Sequence, residues 1–188
     1  MPSGSFAVAN GLQPVGSQEF AAAMGRHASS VCVITTCHAQ QRFGLTATAV
    51  SSVCASPPRL LVCINKSGIT HAKIAESGRF CVNVVSENQE RLAKSFAGMM
   101  GKDLDRFALG SWYDLATGSP ALMEASAAID CSVVEQLDQF SHSIFIGEVV
   151  GVAAHPGKDP LLYAARRFRH LRKVLAADVT NDLEFLHF

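Results

Sequence analysis

The sequence that decides the fold is GLTATAVSS at residues 44–52, followed after a double proline by RLLVCIN at residues 59–65. The first stretch is small and rich in hydroxyl groups, whereas the second is apolar until its final Asn65. A short continuous apolar run indicates a buried strand, and Pro57-Pro58 predicts an extended break before it. Small residues let a ligand approach the backbone, and hydroxyl groups bind polar edges. The two stretches therefore predict a site for a flat ligand with polar edges and a phosphate tail.

The rest of the chain predicts mostly strands, with short helices between them. Strands are expected at residues 31–37, 43–53, 59–64, 80–85, 127–137 and 143–152, and helices at 17–27, 70–76 and 86–97. Residues 98–120 predict a long irregular loop, and such a loop in a compact domain usually has a function or covers a site. About six strands with short helical insertions predict a barrel or an α+β fold and not a doubly wound parallel sheet.

The composition limits the possible functions. The chain has 188 residues, which suits one domain with a core. Hydrophobic residues make up 48% of it, so additional burial in an oligomer is expected. Sixteen basic and sixteen acidic residues cancel, which leaves no basic surface for nucleic acid. No apolar run approaches the ~20 residues of a membrane-spanning helix. The first basic residue is Arg26, so no secretory signal is expected either.

The six cysteines and seven histidines are scattered along the chain and form no C-x-x-C pair. This pattern favours free thiols in a reducing cytoplasm over disulfides, and it predicts no metal site. The sequence also lacks G-x-G-x-x-G, G-x-S-x-G and H-E-x-x-H. A Rossmann dinucleotide site, a hydrolase nucleophile elbow and a zinc protease are therefore not expected.

A few residues could carry chemistry, and each has a simpler interpretation. His142 precedes an apolar strand, where it could orient a substrate or transfer a proton, or could be an ordinary surface histidine. Arg106, beside Phe107, could close over a ligand or only anchor its loop. The arginines within residues 166–172 could bind phosphate or form a solvated face. The hydroxyl groups of residues 46–52 could simply face water, but the polar residues 65–70 at the end of a neighbouring buried strand favour a site.

Ten short motifs occur in order over about residues 17–172: GLTATAV at 44–50, SPP at 56–58, LVCIN at 61–65, FCVNV at 80–84, FAG at 96–98, RF at 106–107, His142, IGEV at 146–149, PLLY at 160–163 and RRF at 166–168. Taken in order, these motifs resemble the flavin reductase family. The chain is most similar to the small reductase components of two-component flavin-dependent monooxygenases, such as the reductase of 4-hydroxyphenylacetate 3-monooxygenase. Two departures occur: the family often has Gly-Asp where this chain has Phe140-Ser141, and often has His where this chain has Arg169.

The resemblance implies a mainly β fold with short helices, namely a split β-barrel of the Greek-key type. It implies a flavin reductase-like domain at residues 17–172, between a flexible N-terminal arm at 1–16 and a C-terminal tail at 173–188. It also implies a homodimer with FMN or FAD bound near the subunit interface. NADH or NADPH would be the co-substrate, and a flavin-dependent oxygenase in the cytoplasm would be the partner that receives reduced flavin.

The resemblance also assigns roles to individual residues. Asn65, Ser67 and Thr70 would hold the ribityl chain and the phosphate, with Lys66 as a counter-charge. Asn83 and Arg106 would belong to the same pocket, and His142 matches the position associated with nicotinamide binding and is the candidate catalytic residue. The residues that would lie along the isoalloxazine ring are Thr46, Ala47, Thr48, Ala49, Val50, Ser51 and Ser52.

The leading hypothesis is therefore an NAD(P)H:flavin oxidoreductase. The hydride step needs no strong acid or base, which agrees with a sequence that has no obvious catalytic constellation. A non-catalytic module that binds or stores flavin on the same barrel is the alternative. A third possibility is an interaction barrel without flavin, which would be colourless and would gain no thermal stability from added FMN.

Overall fold

The computed structural model describes residues 12–101 and 104–172. Residues 12–16 of the expected arm form neither helix nor strand, whereas the rest of the arm and the tail at 173–188 lie outside the described residues. The helices are α1 (Ser17–Met24), α2 (Ile69–Ser77) and α3 (Glu90–Phe96), with a 3₁₀ turn at Arg106–Ala108. The strands are β1 (Ser29–Ser30), β2 (Cys32–His38), β3 (Gln41–Ala47), β4 (Val50–Ala55), β5 (Pro58–Asn65), β6 (Arg79–Val84), β7 (Trp112–Asp114), β8 (Pro120–Leu122), β9 (Ala127–Gln139), β10 (His142–Ala154), β11 (Leu162–Ala164) and β12 (Arg167–Arg169).

Seven strands form one antiparallel sheet in the order β3-β2-β6-β9-β10-β5-β4. Its two edge strands, β3 and β4, are joined by only Thr48 and Ala49, so the two edges of the sheet must come together. One core cluster contains side chains from both edges, such as Leu45 and Val50, together with Phe80 from the middle of the sheet. A sheet that curls around a single core in this way is a barrel. The prediction of a mainly β, split-barrel fold is confirmed.

Strand β2 is buried on both faces because two layers cover it. Cys32 and Ile34 point into the barrel core. Val31, just before β2, and Val33 point outward and pack against α3. Successive side chains of a strand face opposite sides, so the five consecutive buried residues at the start of β2 need a cover on each side. This second layer is one reason for the high apolar content of the chain.

The sequence-based strand at residues 43–53 is wrong in one respect, because the structure divides it into β3 and β4. Strand β3 pairs with β2, and β4 pairs with β5 at the other edge of the sheet. The chain has to cross from one edge to the other, and it does so at Thr48-Ala49. A residue pattern that suits a strand does not reveal which partner each half will pair with.

Two other boundaries also differ from expectation. The predicted helix at 86–97 begins only at Glu90, because the side-chain oxygen of Gln89 accepts a hydrogen bond from the Ser86 backbone N–H and forms a turn there. The predicted loop at 98–120 contains the 3₁₀ turn and β7, which pairs with β8. By contrast, α2 (Ile69–Ser77) agrees with the predicted helix at 70–76 to within one residue at each end, and Gly78 ends it in the left-handed conformation with φ of 66°.

The described residues contain no helix that is both long and apolar enough to cross a membrane. Within the same residues, no three His, Cys, Asp or Glu side chains group together as ligands for a metal ion. All six cysteines are free thiols. Burial raises the pKa of Cys32 and of Cys131 to about 12, so these two thiols stay protonated and pack as small apolar groups.

Candidate functional site

The segment at residues 46–52 lines two cavities on either side of the point where the sheet edges meet. The first, which we call the β3 cavity, has a volume of about 280 Å³. The second, the β4 cavity, has a volume of about 490 Å³. Thr48 lines both of them. The β3 cavity is lined by Val31, Thr46, Ala47, Thr48, Ala97, Met99, Tyr163 and Phe168. The β4 cavity is lined by residues 27–30, Cys32, Thr48, Val50, Ser51, Ser52, Leu60, Val84 and Ile129.

Backbone and side-chain hydrogen bonds fix this segment in place. The Thr46 hydroxyl donates to the Ala93 carbonyl at 2.7 Å and thereby holds α3 against β3. The Ala49 carbonyl accepts from the Cys63 N–H at 3.0 Å, which ties the crossing point to β5. Ala49 is the only member of the predicted stretch that lines neither cavity. The walls of both cavities are therefore preformed.

Tyr163 and Phe168 form an aromatic wall of the β3 cavity. Their rings meet edge to face, with centroids 5.4 Å apart. The two residues lie on β11 and β12, which pair directly with each other. Another part of the cavity wall is formed by residues 46–48, at the end of β3 and in its connection to β4. A flat conjugated ring is a suitable occupant for a cavity with one aromatic wall and one small, hydroxyl-bearing wall.

A third cavity, which we call the arginine cavity, has a volume of about 290 Å³ and brings together Arg42, Thr70 and Arg106. The Arg42 guanidinium lies 4.6 Å from the ring centroid of Phe107, so the aromatic ring holds it there. Thr70 is buried in the first turn of α2. Two guanidinium groups and a hydroxyl are the groups that proteins use to bind phosphate.

The sequence analysis missed Arg42, although a signal was available. Arg42, Gly44 and Thr46 alternate along β3, so they share one face of the strand. Gly44 lines the arginine cavity and Thr46 lines the β3 cavity, so the two cavities are neighbours along this face. Gly44 also has to be glycine, because a Cβ there would lie 2.7 Å from the Phe96 ring.

Residues 65–67 form a turn that is linked to the tip of the β9–β10 hairpin and lines none of the three cavities. The Asn65 side-chain oxygen accepts from the Ser67 N–H at 2.9 Å. The Lys66 N–H donates to the Ser141 carbonyl at 2.9 Å, and Lys66 Nζ lies 3.2 Å from Asp138 Oδ2. The structure therefore brings Thr70 and Arg106 together but leaves Asn65, Lys66 and Ser67 on the adjacent surface.

Asn83, which the resemblance assigns to the flavin pocket, lies in the core of the fold. Its side chain is fully buried. The amide group donates to the carbonyls of Val33 and Pro120 at 3.1 and 3.2 Å. Its oxygen accepts from the Leu122 N–H at 2.6 Å. Asn83 thus joins β6 to β2 and β8, and it lines none of the three cavities.

His142 begins β10 and lies opposite Asn65 in the pairing of β10 with β5. Its ring is half-buried, and Nδ1 lies 2.8 Å from the Ser141 hydroxyl. Ser141 stands where the family often has Asp, and in this chain its hydroxyl group is the partner that orients the His142 ring. The structure places His142 beside the turn at 65–67, and none of the three cavities includes it.

The sequence analysis also missed a chain of hydrogen bonds behind His142. The Ser143 hydroxyl is buried and donates to Asp138 Oδ1 at 2.6 Å, and His71 Nε2 lies 2.7 Å from the same hydroxyl. Hydrogen bonds from Ser143, and then from Gln136 and Lys66, hold the pKa of Asp138 well below its usual range. Partial burial lowers the pKa of His71. Residues from a helix and from a hairpin meet here, so no local sequence motif marks the network.

Comparison with known proteins gives the same family as the sequence motifs. The model of the flavin reductase like domain matches residues 24–172. A relative from Methylorubrum extorquens, named "FMN reductase (NADH) RutF 1", is 42% identical over 158 residues, covering 84% of this chain and 78% of the relative.

Two solved structures have the same architecture. The flavin reductase PheA2 is 33% identical, with a TM-score of 0.78 over 85% of this chain and 100% of that chain. BorF, the flavin reductase component of a bacterial two-component tryptophan halogenase, is 28% identical, with a TM-score of 0.76 over 85% of this chain and 100% of that chain. With four-fifths of its length matched by the domain model and with relatives of this similarity, this chain belongs to the family of proteins with a flavin reductase like domain.

Proposed function

We propose that this protein is an NADH-dependent FMN reductase that supplies reduced flavin to a separate oxygenase. A relative named as an FMN reductase (NADH) is 42% identical, and the similar solved structure of BorF is the reductase component of a two-component enzyme. The observation that carries the proposal is the pair of neighbouring cavities along one face of β3, one suited to a flat ring and the other to a phosphate.

The β3 cavity fits the isoalloxazine ring of a flavin. Ala47 and Ala97 have short side chains that leave room for a flat group, and Tyr163 and Phe168 supply an apolar wall. The backbone of residues 46–48 is the polar edge against which the ring would lie. Hydride transfer from reduced nicotinamide to a bound flavin is chemistry that the two cofactors supply between them. The protein therefore has to bind and orient, and it needs no acid or base at this position.

The arginine cavity fits the phosphate of FMN. Arg42 and Arg106 provide two positive charges against the one negative charge of Asp105, and Thr70 provides a hydroxyl group at the same cavity. A phosphate with a charge near −2 would be attracted by both guanidinium groups. Asn65, Lys66 and Ser67 form the turn that leads to Thr70 at the start of α2. We therefore propose that these three residues shape and charge the approach to the phosphate end of the flavin.

His142 is the proposed nicotinamide contact. Its hydrogen bond with Ser141 fixes one ring nitrogen, so the other edge of the ring is available to a ligand. Because β10 pairs with β5 at Asn65, His142 lies beside the turn that leads to Thr70. This position favours a role in holding NADH next to the flavin over a role in breaking a bond.

We also propose a homodimer located in the cytoplasm. Five apolar residues on strands β4, β9 and β10 are exposed, and two of them, Val53 and Val152, have exposed fractions of 47% and 60%. A face of this kind is typical of a subunit interface. Six free cysteines agree with a reducing compartment. The five residues are Val53, Val134, Leu137, Val150 and Val152.

The activity test is oxidation of NADH by the purified protein with and without added FMN, followed through the absorbance of NADH. We expect oxidation that depends on FMN, with a KM for FMN lower than that for riboflavin by about tenfold, because only FMN carries a phosphate. Flavin binding without NADH oxidation would instead support the storage module. Equal KM values for the two flavins would contradict the assignment of the arginine cavity.

A further inference from the structure

Three contacts hold the tip of the β9–β10 hairpin against the turn that follows β5. The Lys66 N–H donates to the Ser141 carbonyl at 2.9 Å. The Lys66 ammonium group lies 3.2 Å from the Asp138 carboxylate. His142 and Asn65 form the last pair between β10 and β5. The hairpin tip is otherwise exposed, and Phe140 at its end is 99% exposed, so these contacts limit the motion that a hairpin tip normally has.

Asp138 joins this surface contact to the interior. One of its oxygens accepts from the buried Ser143 hydroxyl at 2.6 Å, and the other faces Lys66. The Ser143 hydroxyl lies 2.7 Å from His71 Nε2 on α2. The His71 ring packs on Phe145, with the ring centroids 5.2 Å apart. A single carboxylate thus connects β9, β10, α2 and the turn at 65–67.

The ion pair with Lys66 is too exposed to be explained by stability. Asp138 has a side-chain exposure of 60%, and Lys66 of 32%. Ion pairs of this exposure contribute little to the free energy of folding. A small displacement of a ligand-binding side chain, by contrast, can change a rate by as much as about 100-fold. The arrangement is better suited to fixing the position of the adjacent residues than to holding the fold together.

We propose that Asp138 is a positioning residue for NADH binding, acting through Lys66 and Ser143 to fix His142 beside the turn at 65–67. This inference rests on the proposed function, in which His142 contacts nicotinamide. Asp138 touches neither cofactor in this account. It lies four residues before His142 and holds both strands of the hairpin that presents the histidine.

The test compares Asp138→Ala, His142→Ala and the double variant in steady-state assays with NADH and FMN. We expect Asp138→Ala to raise the KM for NADH about fivefold, while kcat and the KM for FMN change less than about twofold. Because Asp138 acts through His142, the double variant should have the same KM for NADH as His142→Ala alone. Glu135→Ala is the matched control, since it removes an exposed carboxylate from the same hairpin and should leave the KM for NADH unchanged.

The outcomes separate this inference from the proposed function. If His142→Ala raises the KM for NADH but Asp138→Ala does not, the positioning role is wrong and the proposed function stands. If the effects of the two substitutions multiply in the double variant, Asp138 acts independently of His142, which also overturns the inference. If His142→Ala leaves that KM unchanged, the inference fails together with the assignment of His142 as the nicotinamide contact. The proposed function itself fails only if the unsubstituted protein does not oxidise NADH when FMN is added. Asp138→Asn keeps an acceptor for the Ser143 hydroxyl but loses the ion pair with Lys66, so it should raise the KM for NADH less than Asp138→Ala does. It replaces the alanine variant in the test if that variant does not fold.

Discussion

Asn83 and Asn65 are the two asparagines that the family resemblance assigns to the flavin pocket, and the structure gives them different environments. Asn83 is fully buried and uses both its amide and its oxygen to join three strands. Asn65 is exposed at the end of β5, where its oxygen accepts one hydrogen bond that shapes a turn. The comparison teaches that residue type and position within a motif do not separate support of the fold from ligand binding. Burial and the number of hydrogen bonds that the side chain makes inside the protein are what separate the two roles.

The largest expected effect is on stability, from Asn83→Ala. This substitution leaves the Leu122 N–H without its buried acceptor, whereas the Pro120 carbonyl keeps its hydrogen bond from the Thr35 hydroxyl. An unpaired buried group costs about 1–3 kcal/mol, so we expect the free energy of unfolding to fall by about 2 kcal/mol. Urea denaturation measures it. The matched control is Asn65→Ala, which should cost less than about 1 kcal/mol. Equal losses for the two variants would remove the distinction between the asparagines.

The second expected effect is on flavin binding, from Asn65→Ala. Loss of the side-chain oxygen frees the Ser67 N–H and loosens the turn that leads to Thr70. We expect the KM for FMN to rise about threefold to tenfold, equivalent to one lost hydrogen bond. Steady-state assays at varied FMN measure it. Asn88→Ala is the control, because Asn88 accepts a hydrogen bond from Ser86 in a different turn and should leave that KM unchanged.

The smallest expected effect is on the pH dependence of the free energy of unfolding. It extends the comparison of the two asparagines to a third polar side chain, His71. Partial burial lowers its pKa below the ordinary value of 6.5, so the unfolded state binds a proton more readily than the folded state. The free energy of unfolding should therefore fall as pH decreases through 6.5 toward the pKa of the folded state. His71→Gln should make this fall shallower, as measured by urea denaturation at several pH values. His27→Gln is the control at an exposed position, and it should leave the slope of the free energy of unfolding against pH unchanged. If His71→Gln also leaves that slope unchanged, the pH dependence does not come from His71.

The sequence was sufficient for the class of fold and for a polar stretch that borders two cavities. Apolar runs and turn residues located the longer strands, and the predicted helix at 70–76 lies within α2. The hydroxyl-rich stretch at 46–52 does line two cavities. These features depend on local patterns, which a single sequence contains.

The remaining features depend on contacts between distant residues. The stretch at residues 43–53 is divided into β3 and β4 because the two strands pair with different partners. The sequence of neither strand indicates which strand it will pair with. Arg42 meets Arg106 only because β3 and the segment after α3 share a cavity. Ser143 and His71 are 72 positions apart and meet at 2.7 Å. Spacing along the chain cannot predict such long-range contacts, because they arise when whole helices and strands pack against each other.

Thr48 and Ala49, the two residues that connect the edges of the sheet, have a consequence for the whole molecule. A flavin lying along residues 46–48 would contact the backbone that joins the two edges of the sheet. Flavin binding would therefore stabilise the closed form of the barrel. A bound ligand stabilises a native state by mass action. Here the flavin would stabilise the connection at Thr48-Ala49, which joins the two edges of the sheet. A reductase that hands its flavin to another protein would thereby lose part of its own stability at each delivery, so its resistance to heat should follow the supply of flavin.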